Sequence, residues 1–247
     1  MRNIDEYTKN YLKHGFEDRL VTYRRRKVIE IINKYHPYKI LEIGCGMEPL
    51  FNYMDYEFAQ FTVFEPSIEF YNNALNLADL HPLKNKIVLY NAPYYSKGTK
   101  NNYDMIICSG LLHELEDATN MISEIYKDCG KDTIVHFNVP NARSLHRLCA
   151  FHAGIIKNID DLSERNVVLQ QHSVFTKESL RDILICYNFD IIEGGSYFIK
   201  PFTHDQMEMM ITNGIISENI LDGLYKMSDE LPEYGCEIYF NCKMKLE

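Results

Sequence analysis

The sequence predicts an α/β protein in which short buried strands alternate with helices, and three features carry that expectation. The run Ile40-Leu41-Glu42-Ile43 is apolar enough for a buried strand and stops at Gly44-Cys45-Gly46. Two glycines one residue apart let the backbone turn tightly and approach a bound group closely. A second strand-like run, Phe58 to Phe64, closes in Glu65, 19 residues beyond Gly46. An α/β nucleotide-binding unit places an acidic residue there to accept hydrogen bonds from ribose hydroxyls. Five further strand-like runs follow, separated by stretches with helical spacing or turn residues.

In chain order, residues 3 to 34 contain no proline and space Tyr7, Tyr11, Leu12, Phe16, Leu20, Val28, Ile31 and Ile32 for helix faces. One or two helices therefore precede the first strand, until Pro37-Tyr38 breaks the pattern. Arg24, Arg25, Arg26 and Lys27 form a dense basic run in an acidic chain. That run reads as a solvated helical face, or as one or two groups that turn, with Tyr23, toward an anionic ligand. After Glu65, Pro66-Ser67 starts a helix that runs to Leu80, before His81-Pro82. Lys86 to Tyr90 is a third strand with Asn91-Ala92-Pro93 at its end, and Tyr103 to Cys108 is a fourth. Residues 118 to 129 supply a helix and Thr133 to Phe137 a fifth strand. Thr176 N-caps a helix over 177 to 187. Asp190 to Ile199 is a sixth strand, in which Gly194-Gly195 predicts a bulge or bend. Residues 204 to 227 read as mainly helical, and Tyr234 to Met244 as a last strand with Cys236, Ile238 and Phe240 on one face.

The order acidic, apolar, Gly, any residue, Gly at Glu42 to Gly46 resembles motif I of class I S-adenosylmethionine (SAM) methyltransferases. Asp104 with Ser109 through His113 is similar to the same family's motif IV. A dinucleotide-binding turn would have a third glycine where Pro49 stands, and no Gly-Lys-Ser/Thr occurs, which excludes a P-loop. The resemblance implies a Rossmann-like fold: a seven-stranded mixed sheet in the order 3-2-1-4-5-7-6, strand seven antiparallel, with helices on both faces. It also implies SAM as cofactor. Gly44, Cys45 and Gly46 would pass beneath it, Glu65 and Pro66 would meet the ribose, Asn91 or Ala92 the adenine, and Ser109 and Gly110 the reactive end. Glu42 would lie near the methionine portion.

Size and charge narrow the partners. A chain of 247 residues suits one domain, here 1 to 247 with N-terminal helices 3 to 34. A net charge of -9 argues against a broad nucleic-acid footprint. Seven cysteines scattered singly suit a reducing compartment. Without a signal-like or membrane-length apolar stretch, the expectation is a cytoplasmic protein that does not insert into membrane. His113-Glu114 lacks the second histidine of a zinc helix, since Asp117 stands there, so no metal is expected.

Behind the fifth strand lies the most polar constellation: Asn141, Arg143, Ser144, His146 and Arg147, then His172. Residues 141 to 175 read as a cap over an acceptor pocket. The Asn141 to Arg147 run resembles that of a methyltransferase subgroup in bacterial surface-polysaccharide, capsule and small-molecule pathways, which also places Lys200 near the active rim. Histidine removes protons near neutral pH, and arginine offers a planar fork to carboxylate or phosphate. His113, His146 and His172 are therefore candidate bases. Arg147 is the preferred anion anchor, with Tyr23, Arg24, Asn141, Arg143, Ser144 and Lys200 as further substrate contacts. The expected reaction is methyl transfer to an oxygen of a small anionic metabolite, for example a phosphorylated one. The alternatives are a sugar hydroxyl acceptor, or SAM binding without turnover.

Overall fold

The computed structural model describes residues 4, 6, 8, 15–96 and 103–245, apart from the side chains of 164 and 165. Tyr7, Tyr11 and Leu12 lie outside the described residues. The strands are β1 (Lys39–Ile43), β2 (Gln60–Phe64), β3 (Ile87–Tyr90), β4 (Met105–Ser109), β5 (Ile134–Pro140), β6 (Phe189–Tyr197) and β7 (Glu237–Met244). Among the described residues the helices are α1 (Gly15–Tyr35), α2 (Ile68–Leu80), α3 (Ala118–Asp128), α4 (Leu145–His152), α5 (Glu164–Val168), α6 (Lys177–Cys186), α7 (His204–Thr212) and α8 (Glu218–Lys226). One sheet takes the order β3-β2-β1-β4-β5-β7-β6. The first five strands pair in parallel, and β7 lies antiparallel between β5 and β6, as the family resemblance implies.

Side chains alternate across a strand, so the central strands serve two cores. Leu41, Ile43, Ile106, Cys108, Val135 and Phe137 pack with Ile122 and Ile125 of α3 and Leu180 and Leu184 of α6. Ile40, Met105, Ile107 and Ile134 turn to the opposite face, against Val28, Ile31 and Ile32 of α1 and Ala78 of α2. The first half of α1 serves a third cluster, where Phe16, Leu20 and Tyr23 meet Phe198, Met207, Leu221 and Tyr225. One helix thus packs on the sheet with its second half and on α7 and α8 with its first.

Several boundaries differ from the sequence reading for physical reasons. β5 runs to Pro140 rather than Phe137, because Val139 and Pro140 still pair with Ile238 and Glu237. The register shift in β6 falls between Ile191 and Glu193, ahead of the glycines. Gly194 serves packing instead: a Cβ there would stand 2.3 Å from Phe240 Cδ1. Helix 204 to 227 is two helices, because Gly214 adopts φ +68°, a conformation that ends helices. Cys236 precedes β7 and joins the third cluster, whereas Ile238 and Phe240 face the first.

Candidate functional site

β1 ends at a turn in which Gly44 and Gly46 take φ +76° and +58°, left-handed values that favour glycine. A Cβ at Gly46 would meet nothing within 4 Å, and one at Gly44 only Leu111 Cδ2 at 4.0 Å. Both glycines line a cavity of about 1140 Å³. Glu65, at the end of β2, is buried on the same wall. Its Oε2 accepts the Gly46 N–H at 3.1 Å and its Oε1 the Ser67 N–H at 2.8 Å. Glu42 accepts the Leu50 N–H at 3.0 Å. Burial pushes the Glu42 carboxyl up to about 8; the Leu50 N–H opposes that rise and the Glu65 charge adds to it. Burial, aided by Glu42 and Glu65, likewise raises the Cys45 thiol well above its ordinary range. Ser109 donates to Asn138 Oδ1 at 3.1 Å. At Gly110 a Cβ would lie 3.3 Å from Arg24 Nη1, so the missing side chain admits the guanidinium.

The other end of the cavity gathers charged groups from distant parts of the chain. Lys200 is 1% exposed and lines the wall, with Nζ 2.8 Å from His204 Nδ1. It follows Phe198, held at φ +59°, a strained conformation for a bulky residue. The Phe198 ring is fixed 4.7 Å from that of Tyr23. His204 Nε2 lies 3.2 Å from Glu17 Oε2, and Arg24 Nη2 bridges Glu17 and Glu237. His146 Nδ1 sits 3.1 Å from Ser144 Oγ. Burial, with the charges of Lys200, His204 and Arg147, holds the His146 imidazole well below its ordinary pKa, so the ring is neutral at pH 7. His113 is buried and also lines the cavity.

The cavity therefore brings together Arg24, Glu42, Gly44, Cys45, Gly46, Glu65, Pro66, Ser109, Gly110, His113, Asn141, His146, Arg147 and Lys200. Other expected residues stand elsewhere. Tyr23 turns into the third cluster and donates to Asp222 at 3.1 Å. Asn91 is exposed and caps the Glu65 carbonyl at 3.0 Å, and neither it nor Ala92 reaches the cavity wall. Ser144 is fully buried beside His146. Arg143 is exposed and lines a separate hollow with Lys177 and Glu233. His172 is exposed; only its backbone N–H reaches inward, to the His113 carbonyl at 2.9 Å. Asn141 lines the wall, but its amide is taken by the Glu233 and Gly235 carbonyls and the Arg143 N–H.

Arg147, the preferred anion anchor in the sequence, is the plainest correction. Its Nη2 donates to the carbonyls of Ile159 and Asp161 at 2.7 and 2.8 Å, and its Nε to that of Ala142 at 3.3 Å. The fork fastens the chain that follows α4. Within the basic run, Arg25 pairs with Glu48, Arg26 with Asp222 and Lys27 with Glu30, carboxylates that stay partly exposed, while Arg24 lines the cavity.

Glu17, His204 and Glu237 escaped sequence reasoning. A signal existed for two of them. Glu17 stands two helical turns before Arg24 on one face of α1, and Glu237 is a carboxylate inside an apolar strand run. His204 opens α7 behind the Thr203–Gln206 capping box, which marks a helix start without indicating what it faces.

The mixed sheet with β7 antiparallel, the glycine turn at the end of β1 and the acidic residue at the end of β2 together define a class I SAM-dependent methyltransferase fold. A methyltransferase-domain family model matches residues 13–193, and the chain belongs to that family. Among solved structures it is similar to an S-adenosylmethionine-dependent methyltransferase from Clostridium acetobutylicum, with TM-score 0.57 and 9% identity over 91% of this chain and 92% of that one. It is also similar to the methyltransferase domain of bacterial CtHen1-C, with TM-score 0.59 and 15% identity over 92% and 100%. A third, the [4+2]-cyclase SpnF, aligns with TM-score 0.55 and 14% identity over 85% and 75%. No curated protein matches the sequence.

Proposed function

We propose that the protein transfers a methyl group from SAM to an oxygen of a small acceptor carrying an anionic group, such as a phosphorylated metabolite. The observation that carries this reading is that one cavity holds the glycine turn with Glu65 and the buried ammonium of Lys200. The turn fits SAM, because side chains at Gly44 and Gly46 would project into the cavity and Glu65 presents a buried carboxylate to ribose hydroxyls. Gly44, Gly46, Glu65 and Glu42 would hold the cofactor, which when bound supplies an electrophilic methyl on sulfur. An ammonium on a cavity wall can pair with an anionic group of a ligand through charge-assisted hydrogen bonds. Neutral His146 orients or deprotonates an acceptor hydroxyl. Residues 141 to 175 act as the cap, and the resemblance of the Asn141 to Arg147 run to methyltransferases of capsule pathways supports the same acceptor class.

The second reading is a sugar hydroxyl acceptor, favoured by the carboxylates of Glu17 and Glu237 at the same end. The third is a fold-retaining protein without methyl turnover, a reading to which the cyclase among the structural neighbours gives weight. An assay following labelled methyl from SAM into phosphorylated metabolites and neutral sugars separates the three. Lys200→Met should weaken transition-state binding of an anionic acceptor by about 2 to 5 kcal/mol with SAM affinity unchanged. Equal kinetics in the folded variant would reject Lys200 as the anion site.

A further inference from the structure

One stretch of the cavity wall is apolar and open to solvent. Ala150, Ile155, Ile156, Val168 and Leu169 line it, yet Ile155 is 77% and Val168 51% exposed, which places these two at the rim. The rim is held in shape. Arg147 grips the Ile159 and Asp161 carbonyls, and the Ile155 N–H donates to the Ala150 carbonyl at 2.9 Å. Large apolar side chains fixed at the edge of a groove gain nothing from water, and an exposed apolar patch beside a pocket marks what the pocket binds.

We infer that the acceptor is a soluble amphiphile: its anionic group meets Lys200, and an alkyl or aryl arm lies across Ile155 and Val168. This rests on the reading of the Lys200 end as the acceptor site. It narrows that reading by excluding a wholly polar metabolite. The Lys200 end, continuous in the same cavity with the apolar rim, argues for a ligand with both characters over a second protein copy, which would have to cover the rim alone.

The test titrates alkyl phosphates, from methyl to hexyl, into protein saturated with S-adenosylhomocysteine and reads affinity by calorimetry. Each methylene that reaches the rim should tighten Kd about fourfold, the factor equivalent to about 0.8 kcal/mol. Ile155→Ser combined with Val168→Ser should flatten the series, with Ile155→Ser alone as the fallback if the pair does not fold. Lys200→Met should weaken every member alike. The inference is overturned by a flat wild-type series, by a length dependence that survives the serine substitutions, or by binding of no member. Sedimentation and phosphatidylglycerol vesicle pelleting accompany the titration. A flat series with a dimer, or with vesicle binding, that the substitutions abolish gives the rim to a second copy or a lipid surface and overturns it as well. Graded binding without methylation of any acceptor defeats the methyltransferase reading alone, whereas methylation of a polar acceptor with a flat series defeats this inference alone.

Discussion

Glu65 Oε2 accepts the Gly46 N–H at 3.1 Å while Oε1 accepts the Ser67 N–H at 2.8 Å, so one carboxylate joins the turn after β1 to the start of α2. Glu65→Ala should therefore lower stability by about 1 to 3 kcal/mol, because two amides lose their acceptor, and weaken SAM binding by a similar amount. Denaturant unfolding and calorimetry measure the two effects separately. Unchanged SAM affinity in the folded variant would leave Glu65 a purely structural residue.

Arg147→Ala and Arg147→Lys should behave alike. Neither keeps the planar group whose Nη2 reaches the Ile159 and Asp161 carbonyls while its Nε reaches that of Ala142. A loss of about 1 to 3 kcal/mol is expected, with faster proteolysis between Ile155 and Asp161 and unchanged SAM affinity. A lysine variant as protease-resistant as wild type would contradict the fastening role.

Glu42 gives stability a pH dependence of known sign. Its folded pKa, about 8, lies above the ordinary carboxyl value of 4.5, so the folded state holds a proton that the unfolded chain releases. The contribution is full below pH 4.5 and is lost as pH rises toward 8. Glu42→Gln should remove that decline, and the stability difference between variant and wild type should grow with pH across this window. Parallel pH profiles from chemical denaturation would refute the shift.

Two glycines make opposite predictions. At Gly235 a Cβ would lie 2.5 Å from Tyr197 N and 2.6 Å from Tyr197 O, backbone that cannot move aside, so Gly235→Ala should destabilise by about 3 kcal/mol or more. At Gly223, inside α8, a Cβ meets nothing within 4 Å, and Gly223→Ala should stabilise by about 0.5 to 1 kcal/mol. Thermal unfolding of both variants provides the comparison.

The strand series, the glycine turn and the acidic residue at the end of the second strand were legible in the amino-acid sequence. Each is local: apolar runs, helix spacing and turn residues act within a few positions, and the parallel order follows once the family turn is recognised. Tertiary structure alone decided which polar residues share a cavity. Glu17 and Arg24 come from α1, Lys200 from the turn after β6, His204 from α7 and Glu237 from β7, and no spacing in the chain links them. It also decided that Tyr23 faces a core, that His172 faces water, and that the Arg147 fork closes on carbonyls rather than on a ligand. A side chain's partner depends on which elements pack within about 3 Å of its polar atoms, and that distance is set by the assembled sheet and helices, not by the residue's neighbours in sequence.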